Sequence, residues 1–215
     1  MTDQPPAEQP HYFSPTPGTP GRPRSLSVRL AGQDVEVRTD AGVFSGHRVD
    51  LGTRVLLREV PVPPAAGDLL DLGCGWGPLA LSMALLSAQA RVWAVDVNQR
   101  AVELTEQNAR RLGLAGVRAC RPEQVPADLR FAAIWSNPPI RIGKEELHAL
   151  LLRWLPRLAP DGRAYLVVQR NLGADSLHGW LGPALGAGFG VRRIGSAKGY
   201  RVLEVASDAG GPGPA

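Results

Sequence analysis

From Gly67 onward the chain alternates short apolar runs with amphipathic stretches of helical length, and that alternation constrains the fold more than any other feature. GDLLDL, RVWAVD, VRAC, RFAAIWS and RAYLVV read as strands. PLALSMALLSA, QRAVELTEQNARRLG and KEELHALLLRWLPRLA read as helices. Strands that alternate with helices predict an α/β fold: a mostly parallel, doubly wound sheet covered on both faces. A glycine-weakened helix, LHGWLGPALGAG, leads to two last strands, VRRIGSA and YRVLEV, with little more than Lys198-Gly199 between them. A parallel crossover needs a dozen or more residues, so these two strands pair antiparallel.

The segment before Gly67 is of another kind. Residues 1–23 hold seven prolines and little apolar material, which predicts a flexible arm. SLSVRLAGQDVEVRT alternates apolar and polar residues about Ala31-Gly32 and predicts a hairpin of Ser25–Leu30 with Gln33–Thr39. A short helix is expected from about Thr53 to Glu59, ended by Pro61, Pro63 and Pro64. The glycine- and proline-rich end, 207–215, reads as a disordered tail.

The 215 residues suffice for one domain with a sizeable core. No apolar run reaches the roughly 18 residues that span a bilayer, and MTDQPPAEQP lacks the apolar core of a signal peptide. Only Cys74 and Cys120 are present, too few for a disulfide framework. These features point to the cytoplasm. His11, His47, His148 and His178 show no metal-ligand spacing, and no metal is expected. The net charge is +4, and residues 141–215 hold 10 basic against 6 acidic side chains. Of the 24 basic residues 22 are arginine, which suits phosphate contact and equally suits a solvated surface.

DLGCGWGP joins the first strand of the alternating region to its helix. Gly73, Gly75 and Gly77 permit a sharp turn and close approach of a ligand, and the helix behind them offers free N–H groups. The spacing G-x-G-x-G differs from the dinucleotide fingerprint G-x-G-x-x-G. Asp71 precedes the loop, and Asp96 ends the second strand, placed to accept both hydroxyls of a ribose. Cys74 inside the loop has no histidine near it in sequence and reads as a small packing residue rather than a nucleophile.

The fourth strand runs into Ser136-Asn137-Pro138-Pro139-Ile140-Arg141. Two successive prolines hold a rigid loop at the carboxyl end of the strand, which faces the ligand crevice of an open α/β sheet. The Asn137 amide oxygen and the Pro138 carbonyl are expected as two fixed acceptors, suited to a planar NH2 group. Arg141 and Lys144 follow at once and stand where they could contact phosphate.

DLGCGWG, the Asp96 spacing, SNPPI and the terminal hairpin together resemble class I S-adenosylmethionine-dependent methyltransferases with the Asn-Pro-Pro motif of amino methylation. GVFSGHRVDLGTRVLL, SNPPIRIGK and KGYRVLEV resemble, more narrowly, the catalytic half of the small-subunit rRNA guanine-N2 methyltransferases, from about Asp40 to Val205. The resemblance implies a Rossmann-like, seven-stranded sheet with a reversed last strand, in a methyltransferase domain over 67–206 capped by residues 24–66. It implies S-adenosylmethionine as cofactor, held by Asp71, Gly73, Gly75, Gly77, Asp96 and Val97. Glu123 would meet the adenine amine, Asn137 with Pro138 would be catalytic, and Phe44 and Thr53 would close the pocket. Pro139, Ile140, Arg141 and Lys144 would touch the substrate, an RNA. Arg192, Arg193, Lys198 and Arg201 of the last hairpin would add to its encounter. Two departures stand out: Ile140 occupies a position that is often aromatic, and the segment ahead of Asp40 holds only a hairpin where the long enzymes carry a second domain. A glutamine amide of a protein, methylated by the same logic, and a non-catalytic RNA- or cofactor-binding member of the fold are the alternative readings.

Overall fold

The computed structural model describes residues 23–40 and 42–208. The proline-rich arm and most of the glycine-rich tail therefore lie outside the described residues. Two strands, β1 (Arg24–Leu30) and β2 (Gln33–Thr39), form a separate antiparallel hairpin, and α1 (Leu51–Glu59) follows. Helix α1 begins two residues before the position expected from sequence because Asp50 caps it, accepting from the N–H groups of Gly52 and Thr53.

The main sheet has seven strands in the order β5-β4-β3-β6-β7-β9-β8. They are β3 (Ala66–Leu72), β4 (Gln89–Val95), β5 (Val117–Cys120), β6 (Phe131–Ser136), β7 (Leu158–Gln169), β8 (Phe189–Ala197) and β9 (Tyr200–Ser207). β9 runs antiparallel to both of its neighbours, and the pairs from β5 through to β7 are parallel. The architecture is thus an α/β, mostly parallel, Rossmann-like sheet with a reversed last strand, as expected. Ser207 completes β9, so ordered strand extends one residue past the boundary expected at 206.

Helices α2 (Pro78–Leu86), α3 (Gln99–Arg111), α4 (Lys144–Trp154) and α5 (Ala174–Leu185) complete the layers. Leu70, Leu72, Ile134 and Leu166 pack against Leu147, Leu151 and Leu181 of α4 and α5 on one face. Leu69, Val92, Trp135 and Val167 pack against Val55, Leu56, Leu79 and Met83 of α1 and α2 on the other. Neighbours such as Leu69 and Leu70 point to opposite faces, which is why the strands read as continuous apolar runs. A third cluster joins Leu30 and Val37 of the hairpin to Trp76, Leu81 and Leu104.

Two further boundaries differ from the sequence reading. Pro156 stops α4 at Trp154, and a single 3-10 turn, Leu155–Arg157, replaces the last helical turn. Asp161-Gly162 lies inside β7 instead of ahead of it, where the pairing with β6 shifts register between Phe131 and Ala133.

The chain leaves β3 for β4 and β5 on one side and returns to β6 and β7 on the other. The switch point therefore falls between β3 and β6, where a parallel sheet opens a crevice. Leu72 pairs with Ser136 there, and the Ser136 hydroxyl donates to the Leu72 carbonyl at 2.7 Å. Gly73 and Asn137 follow side by side.

Candidate active site

A cavity of about 280 Å³ opens at this switch point. Gly73, Gly75, Asp96, Asn98 and Ala101 line one end of it, and Asn137 to Arg141, Gln169, Leu172 and Tyr200 line the other, with Phe44 and Asp50 from the N-terminal segment. A small adjoining recess reaches Asp71, Thr53 and Trp76.

The glycine loop is fixed from behind. The N–H groups of Gly73 and Cys74 both donate to the Val95 carbonyl, at 2.8 and 3.1 Å. Gly73 and Gly75 have φ of 81° and 58°, and no protein atom lies within 4 Å of where a Gly73 side chain would begin. A side chain there would be strained and would fill open cavity. Gly77 has a packing role: it starts α2, and a Cβ on it would sit 3.0 Å from Thr105.

Asp96 is buried at the loop. Its Oδ2 accepts from Gly75 N–H at 3.0 Å and its Oδ1 from Asn98 N–H at 2.9 Å. Burial raises its pKa, while these backbone donors pull it down. Val97 N–H is a third backbone donor to it, and a carboxylate has about four lone-pair sites, so room remains for a further donor from the cavity. Asp71 is fully buried. Its Oδ2 accepts from Ala80 N–H at 2.8 Å, and its Oδ1 has no partner among the described residues. Burial, with a smaller push from Asp96, moves its pKa from 3.8 to about 8. Cys74 is buried and its thiol is pushed up by burial, so it is no thiolate nucleophile.

Asn137 faces Asp50. Its Nδ2 donates to Asp50 Oδ2 at 2.8 Å and to Thr53 Oγ1 at 3.1 Å. An ionised carboxylate only accepts, so the amide has one orientation, with NH2 toward Asp50 and Oδ1 left over. No residue of the described chain donates to that oxygen. The Pro138 carbonyl, expected as a free acceptor, already takes the Ile140 N–H at 2.8 Å and keeps one lone pair.

The N-terminal segment is sewn over the cavity. Asn108 of α3 is buried; its Oδ1 accepts from Arg38 N–H at 2.6 Å, and its Nδ2 donates to the Arg38 and Trp76 carbonyls, both at 2.9 Å. The Trp76 indole donates to the Ser45 carbonyl at 3.3 Å, and Asn98 Nδ2 donates to the Gly42 carbonyl at 3.1 Å. Phe44 is thereby held at the mouth, 41% exposed, with Leu172 at 40% across the same cavity.

Several expected residues are not brought to the cavity. Glu123 is exposed on a 3-10 turn and pairs with Arg121 at 2.7 Å, which turns its carboxylate away; Asn98 and Ala101 bound that end instead. Val97 is half-buried and lines neither the cavity nor its recess. Lys144 borders a separate hollow. Arg192 is bound to Glu204 at 2.6 Å and Arg201 to Asp175 at 2.5 Å, so neither charge is free.

Residues 34–204 match the methyltransferase small domain. The chain belongs to that family. Among its relatives, the uncharacterized protein YbxB of Bacillus subtilis (strain 168) is 37% identical over 77% of this chain and 84% of its own length. Ribosomal RNA small subunit methyltransferase C of Pseudomonas aeruginosa (strain LESB58) is 33% identical over 82% of this chain and 52% of its own length. A solved structure, the T. thermophilus 16S rRNA N2 G1207 methyltransferase in complex with AdoMet and guanosine, superposes with a TM-score of 0.72. It is 26% identical and is covered to 51%, against 88% of this chain. The chain thus spans about half the length of these two rRNA methyltransferases, and the sequence resemblance to them holds.

Asp50, Gln169 and Tyr200 are cavity residues that the sequence did not reveal. For Asp50 one signal existed: an acid just before a helix start, with Thr53 three residues on, is a capping pattern. Tyr200 and Gln169 sit at paired ends of β9 and β7 and become neighbours only in the sheet.

Proposed function

We propose that this chain is an S-adenosylmethionine-dependent N-methyltransferase of the cytoplasm that methylates the exocyclic N2 amine of a guanine in small-subunit ribosomal RNA. The observation that carries the reading is the single orientation of Asn137, whose Oδ1 is the amide's remaining acceptor on a cavity wall shared with Pro138. Similarity to an rRNA small subunit methyltransferase, and to a solved structure holding AdoMet and guanosine, supports both ligands.

The residues present fit the cofactor. Asp96 lines the cavity with a lone-pair site left to accept from a ribose hydroxyl. Gly73 leaves open the space that any side chain would fill. When bound, S-adenosylmethionine supplies a methyl on a sulfonium, an electrophile that needs no further activation. The protein's task is then alignment of the nitrogen lone pair with that methyl. A guanine amine is a poor nucleophile because its lone pair is delocalised into the ring. Asn137 Oδ1 and the second lone pair of the Pro138 carbonyl accept its two N–H bonds, which favours a pyramidal nitrogen and stabilises the charge that develops on it. Asp50 and Thr53 hold Asn137 in register for that role.

The free cations favour RNA. Arg141, Lys144, Arg170 and Lys198 make no ion pair among the described residues, whereas Arg163, Arg192 and Arg201 are each held by an acid. Arg141 lines the cavity, Arg170 follows Gln169, and Lys198 lies two residues before Tyr200. The apolar Phe44 and Leu172 stand at the mouth, where an unstacked base enters. Transfer of label from methyl-labelled S-adenosylmethionine to rRNA, tRNA and protein fractions tests the reading. Label in N2-methylguanine of rRNA is the expected result, and label on a glutamine side chain alone overturns it.

A further inference from the structure

Beside the reaction cavity lies a second hollow of about 170 Å³. Ile140 and Leu172 line both, so the two share a wall. The buried Leu147, Val168 and Leu177 give the hollow an apolar lining. Its polar lining residues, Ser176, His148 and Lys144, are exposed or half-buried and so give it a polar rim. His148 is locked in place: its ring stacks on Trp180 with centroids 3.4 Å apart and planes 10° from parallel. Lys144 has no acidic partner among the described residues, and Arg141 lines the reaction cavity but not this hollow.

We propose that this second hollow is a subsite for the nucleotide adjoining the target in single-stranded RNA, its base against the apolar lining and its phosphate against Lys144. The inference rests on the RNA reading above. An apolar slot with a polar rim suits a base, which has two flat faces and hydrogen-bonding edges. An unpaired cation beside it suits the phosphate that links the two nucleotides. The common wall of Ile140 and Leu172 sets the two occupants next to each other, as consecutive nucleotides are. Ile140 thus acts as a divider between two bases, a place where an aromatic ring would instead lie on one of them.

The test compares a fluorescein-labelled pentaribonucleotide carrying one central guanosine with free guanosine, in the presence of S-adenosylmethionine. Two variants close the hollow without touching the reaction cavity. Ser176→Phe fills it, and Ser176→Glu places a negative charge near Lys144 in the first turn of α5, where an acid suits the helix. The expected result is at least a tenfold loss of pentamer affinity by anisotropy and a matching rise in its KM. The methylation rate of free guanosine should not change. Ser176→Glu carries the test if Ser176→Phe does not fold. Pentamer affinity equal to wild type in a folded variant overturns the subsite alone, while guanosine methylation persists. Wild-type protein that methylates a glutamine peptide and neither guanosine probe overturns the subsite and the RNA reading together.

Discussion

The Asn137 side-chain amide donates to the Asp50 carboxylate at 2.8 Å, joining positions 87 residues apart in sequence. One Asp50 oxygen therefore serves two ends. It caps α1 through the N–H groups of Gly52 and Thr53, and it orients the amide placed to accept from the substrate amine. Helix α1 and the Asn-Pro-Pro loop are in this way a single unit.

Asp50→Ala should separate these roles from Asp50→Asn. Alanine removes the cap, which costs about 0.5–2 kcal/mol, and frees the Asn137 amide to turn. Turnover should fall on the order of tenfold or more with S-adenosylmethionine affinity little changed. Asparagine caps helices well and retains an oxygen for Asn137, so it should recover most of both. Thermal midpoints and kcat for the two variants are the measurement; equal losses in both would detach Asp50 from Asn137.

Asn137→Ala should lower turnover by about 100-fold, the scale of losing one positioned transition-state hydrogen bond. Calorimetry should find S-adenosylmethionine binding nearly intact. Asp96→Ala should do the opposite. It leaves the Gly75 and Asn98 N–H groups unpaired and removes the acceptor at the ribose end, so cofactor affinity should drop by about 1–3 kcal/mol. Unchanged affinity in the Asp96 variant would remove that residue from the cofactor site.

The legible parts of this chain were those written contiguously. Strands buried on both faces, the glycine loop and Asn-Pro-Pro each carry their pattern within a few residues. Asp50, Gln169 and Tyr200 escaped because only tertiary folding brings them to the cavity. The resemblance points to Glu123, but the ion pair with its near neighbour Arg121 turns it outward. Arg192 and Arg201 show the same limit in charge: the sequence displays a basic hairpin, but Glu204 and Asp175 engage these members once the strands and α5 pack.

The Asp71 carboxyl should leave a mark on stability against pH. Burial pushes it up to about 8 from 3.8, so between those values the folded protein binds a proton that the unfolded chain has lost. Stability from this group is full below about 3.8 and falls as pH rises through 8. Asp71→Asn keeps an oxygen for Ala80 N–H and cannot ionise. Its thermal midpoint should gain on wild type as pH is raised from 5 to 8, and the gap should level off above that. A constant gap across this range would show that Asp71 ionises normally in the folded protein.

The last prediction concerns the free cations. Phosphate contacts release counterions, so RNA affinity should fall with salt at a log–log slope of about −0.7 per contact on single strands. Replacing Arg141 and Lys144 together by Ala should flatten that slope by roughly 1.4 and leave S-adenosylmethionine binding unchanged. Arg192→Ala is the control, because Glu204, which it shares with Arg163, already holds its guanidinium; it should change the slope less than the Arg141–Lys144 pair does. Filter binding to rRNA at several salt concentrations measures all three proteins. A slope that responds to Arg192 as strongly as to the Arg141–Lys144 pair would mean that net charge, rather than the unpaired side chains at the cavity, governs the encounter. A slope unchanged in the double variant would remove the face around Arg141 from RNA recognition, and with it the reason to prefer a nucleic acid over a glutamine side chain at Asn137.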